Sequence, residues 1–291
     1  MNPVDRFVEA NGLRFHYLDW GSDANSEGHK RPALVLLHGV GQTCHTWDFF
    51  AEAMSSDFRV LAFDQRGHGD TDWAPGQDYS REAMVADAAA FTEALGLERF
   101  FLAGMSMGGM NSICFTAAHP HRVEALVVVD IGPRIEREGV RHIRDFMSNH
   151  RDFADLEEAA QVIHKFNPRR PLEAIRKFTC VYNLKQMENG RWTWKYDPYF
   201  SESHGRHDPK LMHDQLAAAA RHVTCPTLLV KGAQSDVFSL DGAREFQTLI
   251  PGSEFSLVEG AGHSVMGDNP AGFESAVRRF YQHRGYLPAV R

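Results

Sequence analysis

The apolar run Phe100 to Ala103 leads straight into Gly104-Met105-Ser106-Met107-Gly108, and a helix-like stretch, Met107 to Ala118, begins before that pentapeptide has ended. Few folds accept a strand, a tight turn and a helix with no linker between them. This is the nucleophile-elbow pattern. A serine hydroxyl is a poor nucleophile near neutral pH, so chemistry at Ser106 requires the residue to stand on a sharp turn, beside a base and facing a site for an oxyanion. The flanking glycines permit the turn, because a side chain at either position would meet the neighbouring strand or helix. Glycine and serine are common in ordinary loops, so the pentapeptide needs its context.

That context is an alternation. Arg6 to Ala10 and Leu13 to Trp20 flank Asn11-Gly12, a strong hairpin signal, so the chain opens with antiparallel strands. Apolar runs then alternate with helical patterns: Ala33 to Leu37, His45 to Met54, Phe58 to Phe63, Ser80 to Leu95, the elbow strand and its helix, and Ala125 to Val129. Such alternation predicts an α/β fold, a parallel sheet with helices on both faces. Between about Arg134 and His222 the pattern breaks into Arg-, His-, Glu- and aromatic-rich sequence with breaks at Asn167-Pro168 and Asn189-Gly190. It resumes with a strand at Thr227 to Lys231, a helix near Asp241 to Ile250, a strand at Ser253 to Glu259 and a helix opened by Asn269-Pro270. The expected organisation is one core, residues 1–133 and 223–291, interrupted by a mainly helical cap over 134–222.

Bulk properties remove several function classes. A formal net charge of -7 over 291 residues argues against a nucleic-acid partner. No apolar stretch is long enough for a membrane span, and the start lacks the basic and apolar regions of a secretory signal, so a cytoplasmic protein is expected. Cys44, Cys114, Cys180 and Cys225 are widely spaced, which predicts neither a disulfide framework nor structural zinc. His119, His121, His204 and His207 lie in polar, loop-like sequence and read as solvated surface rather than a metal site. No metal and no cofactor are expected, and no phosphate loop or dinucleotide fingerprint is present.

Three further features stand where a serine mechanism requires them. His38-Gly39-Val40-Gly41-Gln42 follows the strand Ala33 to Leu37, so the backbone amides of Val40 and Met107 are the expected oxyanion hole, with His38 bracing the loop. Gly260-Ala261-Gly262-His263 presents one histidine after the last strand, in the order serine, acid, histidine. Two acids qualify. Asp130 closes the strand after the elbow helix and Asp236 follows the strand after the cap; both lie at the carboxyl edge of the sheet, and either carboxylate can orient the histidine Nδ1–H.

With His38-Gly39, Asp64-Gln65-Arg66-Gly67-His68-Gly69, the elbow and Gly262-His263 in order along nearly the whole core, the chain resembles the α/β-hydrolase superfamily. The resemblance implies a mostly parallel eight-stranded sheet flanked by helices, with a helical cap. Most relatives carry the acid in a Gly-x-x-Asp pattern after strand seven, where this chain has Ser235, with Asp236 one place later. A subset takes it from the end of strand six in a Val-Asp-Ile-x-Pro context, similar to Asp130-Ile131-Gly132-Pro133, so the resemblance favours Asp130 over Asp236. Arg66 in its turn is expected to hold loops together. Trp192, Trp194, Tyr196 and Tyr199 belong either to an acyl pocket or to the packing under the cap. Arg169, Arg170 and Arg176 either attract an anionic substrate or form a solvated face.

The expected activity is hydrolysis of a small carboxylic ester through a Ser106–His263–Asp130 acyl-enzyme. Related reactions on the same triad, at a lactone, an amide or the carbon–carbon bond of a ring-cleavage product, are the alternative. A serine at the elbow argues against haloalkane dehalogenase and epoxide hydrolase chemistry, whose relatives place an aspartate there. A slow-turnover ligand receptor is the alternative of another class. The expected partner is a small-molecule substrate, and a homodimer is compatible with the sequence, which does not itself specify an oligomeric state.

Overall fold

The computed structural model describes residues 2–21, 31–202 and 208–288; His204 and His207, read above as surface, lie outside them. Eleven strands are found there: β1 (Val4–Ala10), β2 (Leu13–Trp20), β3 (Ala33–Leu37), β4 (Arg59–Phe63), β5 (Phe100–Met105), β6 (Val123–Val129), β7 (Asp152–Phe153), β8 (Leu184–Gln186), β9 (Trp192–Trp194), β10 (Thr227–Gly232) and β11 (Glu254–Val258). Eight form one sheet in the order β1-β2-β4-β3-β5-β6-β10-β11. The opening hairpin is antiparallel within itself and to β4, and every other pairing is parallel.

Central strands read as unbroken apolar runs because both of their faces are covered. Period-two geometry sorts them: Val35, Leu37, Leu61, Phe63, Leu102 and Val128 pack on one side, whereas Leu34, Leu36, Val60, Ala62, Ala103 and Val127 pack on the other. The first side is closed by the helices Arg81–Ala94, Met107–Ala118 and Leu240–Leu249, the second by Asp48–Met54 and Pro270–His283.

The stretch between β6 and β10 differs from the helical cap expected over 134–222 in two respects. It holds a three-stranded sheet, β7-β9-β8, in which Asn189-Gly190 turns a hairpin with Gly190 at φ 81°. Its last helix, Pro209–Ala220, belongs to the core layer: Leu216, Ala217 and Ala220 are buried in the cluster on the sheet, against the elbow helix. An amphipathic helix goes wherever its apolar stripe is covered, and element order alone does not reveal which layer does so. The rest of the insertion has a core of its own, which includes Met147, Phe153, Ile163, Ile175 and Trp194 and closes down onto Met107 of the elbow. No helix among the described residues is long and apolar enough to cross a membrane.

Candidate active site

Ser106 sits at φ 53°, ψ −116°, between the end of β5 and the first turn of Met107–Ala118. A non-glycine residue there is strained, at a cost of about 1–3 kcal/mol, and persists only where its surroundings impose it. They do. The Ser106 amide donates to Val129 O at 3.1 Å, while its carbonyl accepts from Met110 N at 2.9 Å. A Cβ on Gly104 would lie 2.3 Å from Gly108 O, and one on Gly108 would lie 2.3 Å from Leu37 O, so neither position tolerates a side chain.

The loop after β3 lies directly against this turn, as a Cβ on Gly39 would come within 3.3 Å of Ser106 Cβ. Its amides are committed one by one: Gly39 N donates to Gln42 Oε1 and Gly41 N to His68 Nε2, each at 3.1 Å. On the elbow side Gly108 N donates to His38 O at 3.1 Å. Among the described residues no protein acceptor takes the amide of Val40 or of Met107. Both amides are therefore free to donate to a substrate oxygen.

Two buried histidines fix that loop. His38 Nδ1 donates to Gly39 O at 2.8 Å and its Nε2 accepts from Gln65 N at 2.9 Å. His68 Nδ1 donates to Arg66 O at 3.1 Å and its Nε2 accepts from Gly41 N. Each ring therefore needs to be neutral, with the proton on Nδ1. Burial lowers both pKa values, that of His68 to about 3, with the neighbouring His38 acting in the same direction. Arg66 binds Asp87 through Nε and Nη2 at 2.5 and 2.6 Å and Asp78 O through Nη1, tying the turn after β4 to the helix Arg81–Ala94.

His263 Nδ1 lies 2.8 Å from Asp130 Oδ2. Asp130 is fully buried at φ 52°, its amide held by Val230 O at 2.7 Å. Its Oδ1 accepts from Gly232 N at 2.9 Å, and Oδ2 also accepts from the hydroxyl of Ser235. A buried carboxylate needs such donors to remain ionised. Asp236 is not brought to His263: its side chain is exposed and faces His142 Nδ1 at 3.5 Å. Consecutive side chains leave a turn in different directions, so Ser235 reaches Asp130 while Asp236 lines the cavity beside His142. Ser235 therefore occupies the Gly-x-x-Asp position as a donor to the Asp130 carboxylate at the end of the adjacent strand. Nearby, Lys231 is buried with Nζ 2.7 Å from Gly232 O; burial lowers its pKa, and the Asp130 charge opposes that fall. Neither Ser235 nor Lys231 carries a motif of its own. The Ser235 signal was its place in the pattern, and Lys231 offered only a charge at the end of an apolar run.

Ser106, His263 and Val40 line one cavity of about 200 Å³ between the sheet edge and the insertion. Ile143, Phe146, Met147, Ile163, Trp194 and Tyr196 form its apolar wall. Of the cap aromatics, Trp194 and Tyr196 face it; Trp192 pairs with Gln186 in the small sheet and Tyr199 packs on Tyr79. The three cap arginines part company. Arg176 is exposed and bidentate to Glu157, Arg169 donates to Gln234 Oε1 at the rim, and Arg170 is half-buried in the wall. Among the described residues, the group of His, Cys and carboxylate side chains close enough to hold a metal ion is His16, Cys44 and Asp64. Asp64 already accepts from His16 Nδ1, Cys44 N and Asp70 N, so its oxygens close a loop brace away from the cavity.

Residues 32–270 match the family model for the alpha/beta hydrolase fold, and the chain belongs to that family. It is 29% identical to an esterase of Mycobacterium tuberculosis, over 90% of this chain and 84% of that one. It is also 29% identical to an N-formylmaleamate deformylase of Pseudomonas putida, over 95% of this chain and 96% of that one. The crystal structure of an E-2-(acetamidomethylene)succinate hydrolase, 23% identical, shares the fold with a TM-score of 0.85 over 97% of this chain and 100% of that one.

Proposed function

We propose that this protein is a serine hydrolase that cleaves a small carboxylic ester through an acyl-enzyme, with Ser106 as nucleophile, His263 as general base and acid, and Asp130 as the triad acid. One observation carries the reading: His263, with Nδ1 2.8 Å from the buried Asp130, lines a cavity together with a serine held on a strained turn. With Nδ1–H committed to Asp130, His263 Nε2 keeps its lone pair and can take the Ser106 proton. Ser106 Oγ then bonds to the substrate carbonyl carbon, and the amides of Val40 and Met107 receive the developing oxyanion. The alcohol departs with the proton carried by His263. A water activated by the same nitrogen adds to the acyl carbon, releasing the carboxylic acid and restoring Ser106. Family membership and the esterase relative support the hydrolase class.

A second reading, hydrolysis of a carbon–nitrogen bond on the same residues, is favoured by the deformylase relative, which matches nearly the full length of both chains. Both share one test. Ser106→Ala is expected to reduce turnover of p-nitrophenyl butyrate by roughly 10³-fold or more while leaving the thermal transition in place. Undiminished turnover in that variant overturns the reading. A matched pair of butyryl ester and butyryl anilide then separates ester from amide preference.

A further inference from the structure

Arg170 is an unusual cation for its position. Its Nη1 donates to Thr179 Oγ1 at 3.2 Å and its Nη2 to Ser264 Oγ at 2.9 Å, so both partners are neutral hydroxyls. Its Nε is sealed from solvent with no partner. No carboxylate lies within 4 Å of the guanidinium among the described residues. The acid that acts on it electrostatically is Asp268, whose oxygens are taken by Asn167 Nδ2 at 2.7 Å and Gly262 N at 3.0 Å. Elsewhere half-buried guanidinium groups pair directly with carboxylates, as Arg59 with Asp19, Arg66 with Asp87 and Arg278 with Asp57, whereas Arg81, outside the cavity, reaches only Asn111 Oδ1 and Met110 Sδ among the described residues. Removing a cation from water without an anion is costly, so an unpaired guanidinium in a cavity wall gains from an anionic ligand.

The place of that cation gives it a role. Arg170 lines the cavity shared by Ser106 and His263, its Ser264 partner follows the histidine in sequence, and the apolar wall offers the rest of a small substrate a surface. From this we infer that the substrate carries a free carboxylate, which Arg170 binds in the cavity while the scissile carbonyl meets Ser106. The inference rests on the reading of Ser106 as the nucleophile. A guanidinium suits this ligand because its planar N–H groups match the two oxygens of a carboxylate. Asn167, whose buried Oδ1 has no partner, lines the same cavity and makes a primary amide the competing ligand.

The test uses three esters of one length: p-nitrophenyl hydrogen adipate, its methyl ester and its primary amide, each corrected for spontaneous hydrolysis. The acid is expected to exceed both neutral esters by about tenfold or more in kcat/KM, mainly through KM, and Arg170→Gln to bring the ratio close to one. An equal or smaller kcat/KM for the acid overturns the inference, as does a preference that survives Arg170→Gln. A binding arm keeps this separate from the fate of the hydrolase reading. On the Ser106→Ala protein, monomethyl adipate is expected to bind about tenfold tighter than dimethyl adipate, with the difference lost in Ser106→Ala/Arg170→Gln. If the wild-type protein turns over none of the esters, the nucleophile reading fails while this arm still reports the carboxylate site; equal binding of the two adipates removes the site itself.

Discussion

Asp130 Oδ2 and Ser235 Oγ share a hydrogen bond across two adjacent parallel strand ends, 105 residues apart in sequence. The bond links the ends of the two strands considered as sources of a triad acid, one bearing a buried carboxylate and the other a hydroxyl that donates to it.

Replacing each candidate acid should therefore give unequal results. Asp130→Asn is expected to lower kcat for p-nitrophenyl butyrate by roughly 10³–10⁴-fold, because an amide no longer holds the histidine in the required tautomer. Asp236→Asn, altering an exposed side chain, should stay within about twofold of wild type. The reverse ranking in steady-state assays would return the role to Asp236.

The acid should also be movable. Asp130→Ser/Ser235→Asp exchanges carboxylate and hydroxyl across the same hydrogen bond, and is expected to recover about tenfold or more of the activity lost in Asp130→Ser alone. A double variant no better than the single one shows that Ser235 lacks a carboxylate's reach to His263.

Strain at the elbow can be read from stability. Glycine accepts φ 53°, ψ −116° more readily than alanine, so Ser106→Gly should be more stable than Ser106→Ala by about 1 kcal/mol in urea titrations, with both inactive. Equal stabilities would mean that the turn is not strained.

His68 supplies a pH signature. Its folded pKa, about 3, lies below the ordinary 6.5, so as pH falls below 6.5 the unfolded chain takes up the proton first. The stability tied to a neutral His68 is complete above 6.5 and is lost as pH falls from there towards 3. Between about pH 7 and pH 5 this contributes up to roughly 2 kcal/mol of acid destabilisation, which His68→Gln should remove. Urea unfolding of both proteins at the two pH values checks it; an unchanged difference removes His68 as the cause.

Much of this was legible because the responsible residues obey local rules. The core strands declare themselves as runs buried on both faces, and Ser106 through glycines that touch Gly108 and Leu37. The choice between Asp130 and Asp236 was harder to read, since both follow strands and only the path of the 235–236 turn separates them. Asn189-Gly190 was visible as a break, yet its strands are three residues each, too short for an alternating pattern. The helix Pro209–Ala220 reads the same in either layer until Leu216 and Ala220 find the sheet. Arg169, Arg170 and Arg176 are indistinguishable in sequence because their difference lies wholly in which neighbours reach them.

The insertion starts just beyond Asp130 and returns before Ser235, so the proposed catalytic groups follow strands of the sheet while Arg170, Trp194 and Tyr196 ride on the spliced segment. Exchange of that segment between relatives, with crossovers after Gly132 and before Pro209, would graft a new appetite onto an unaltered engine.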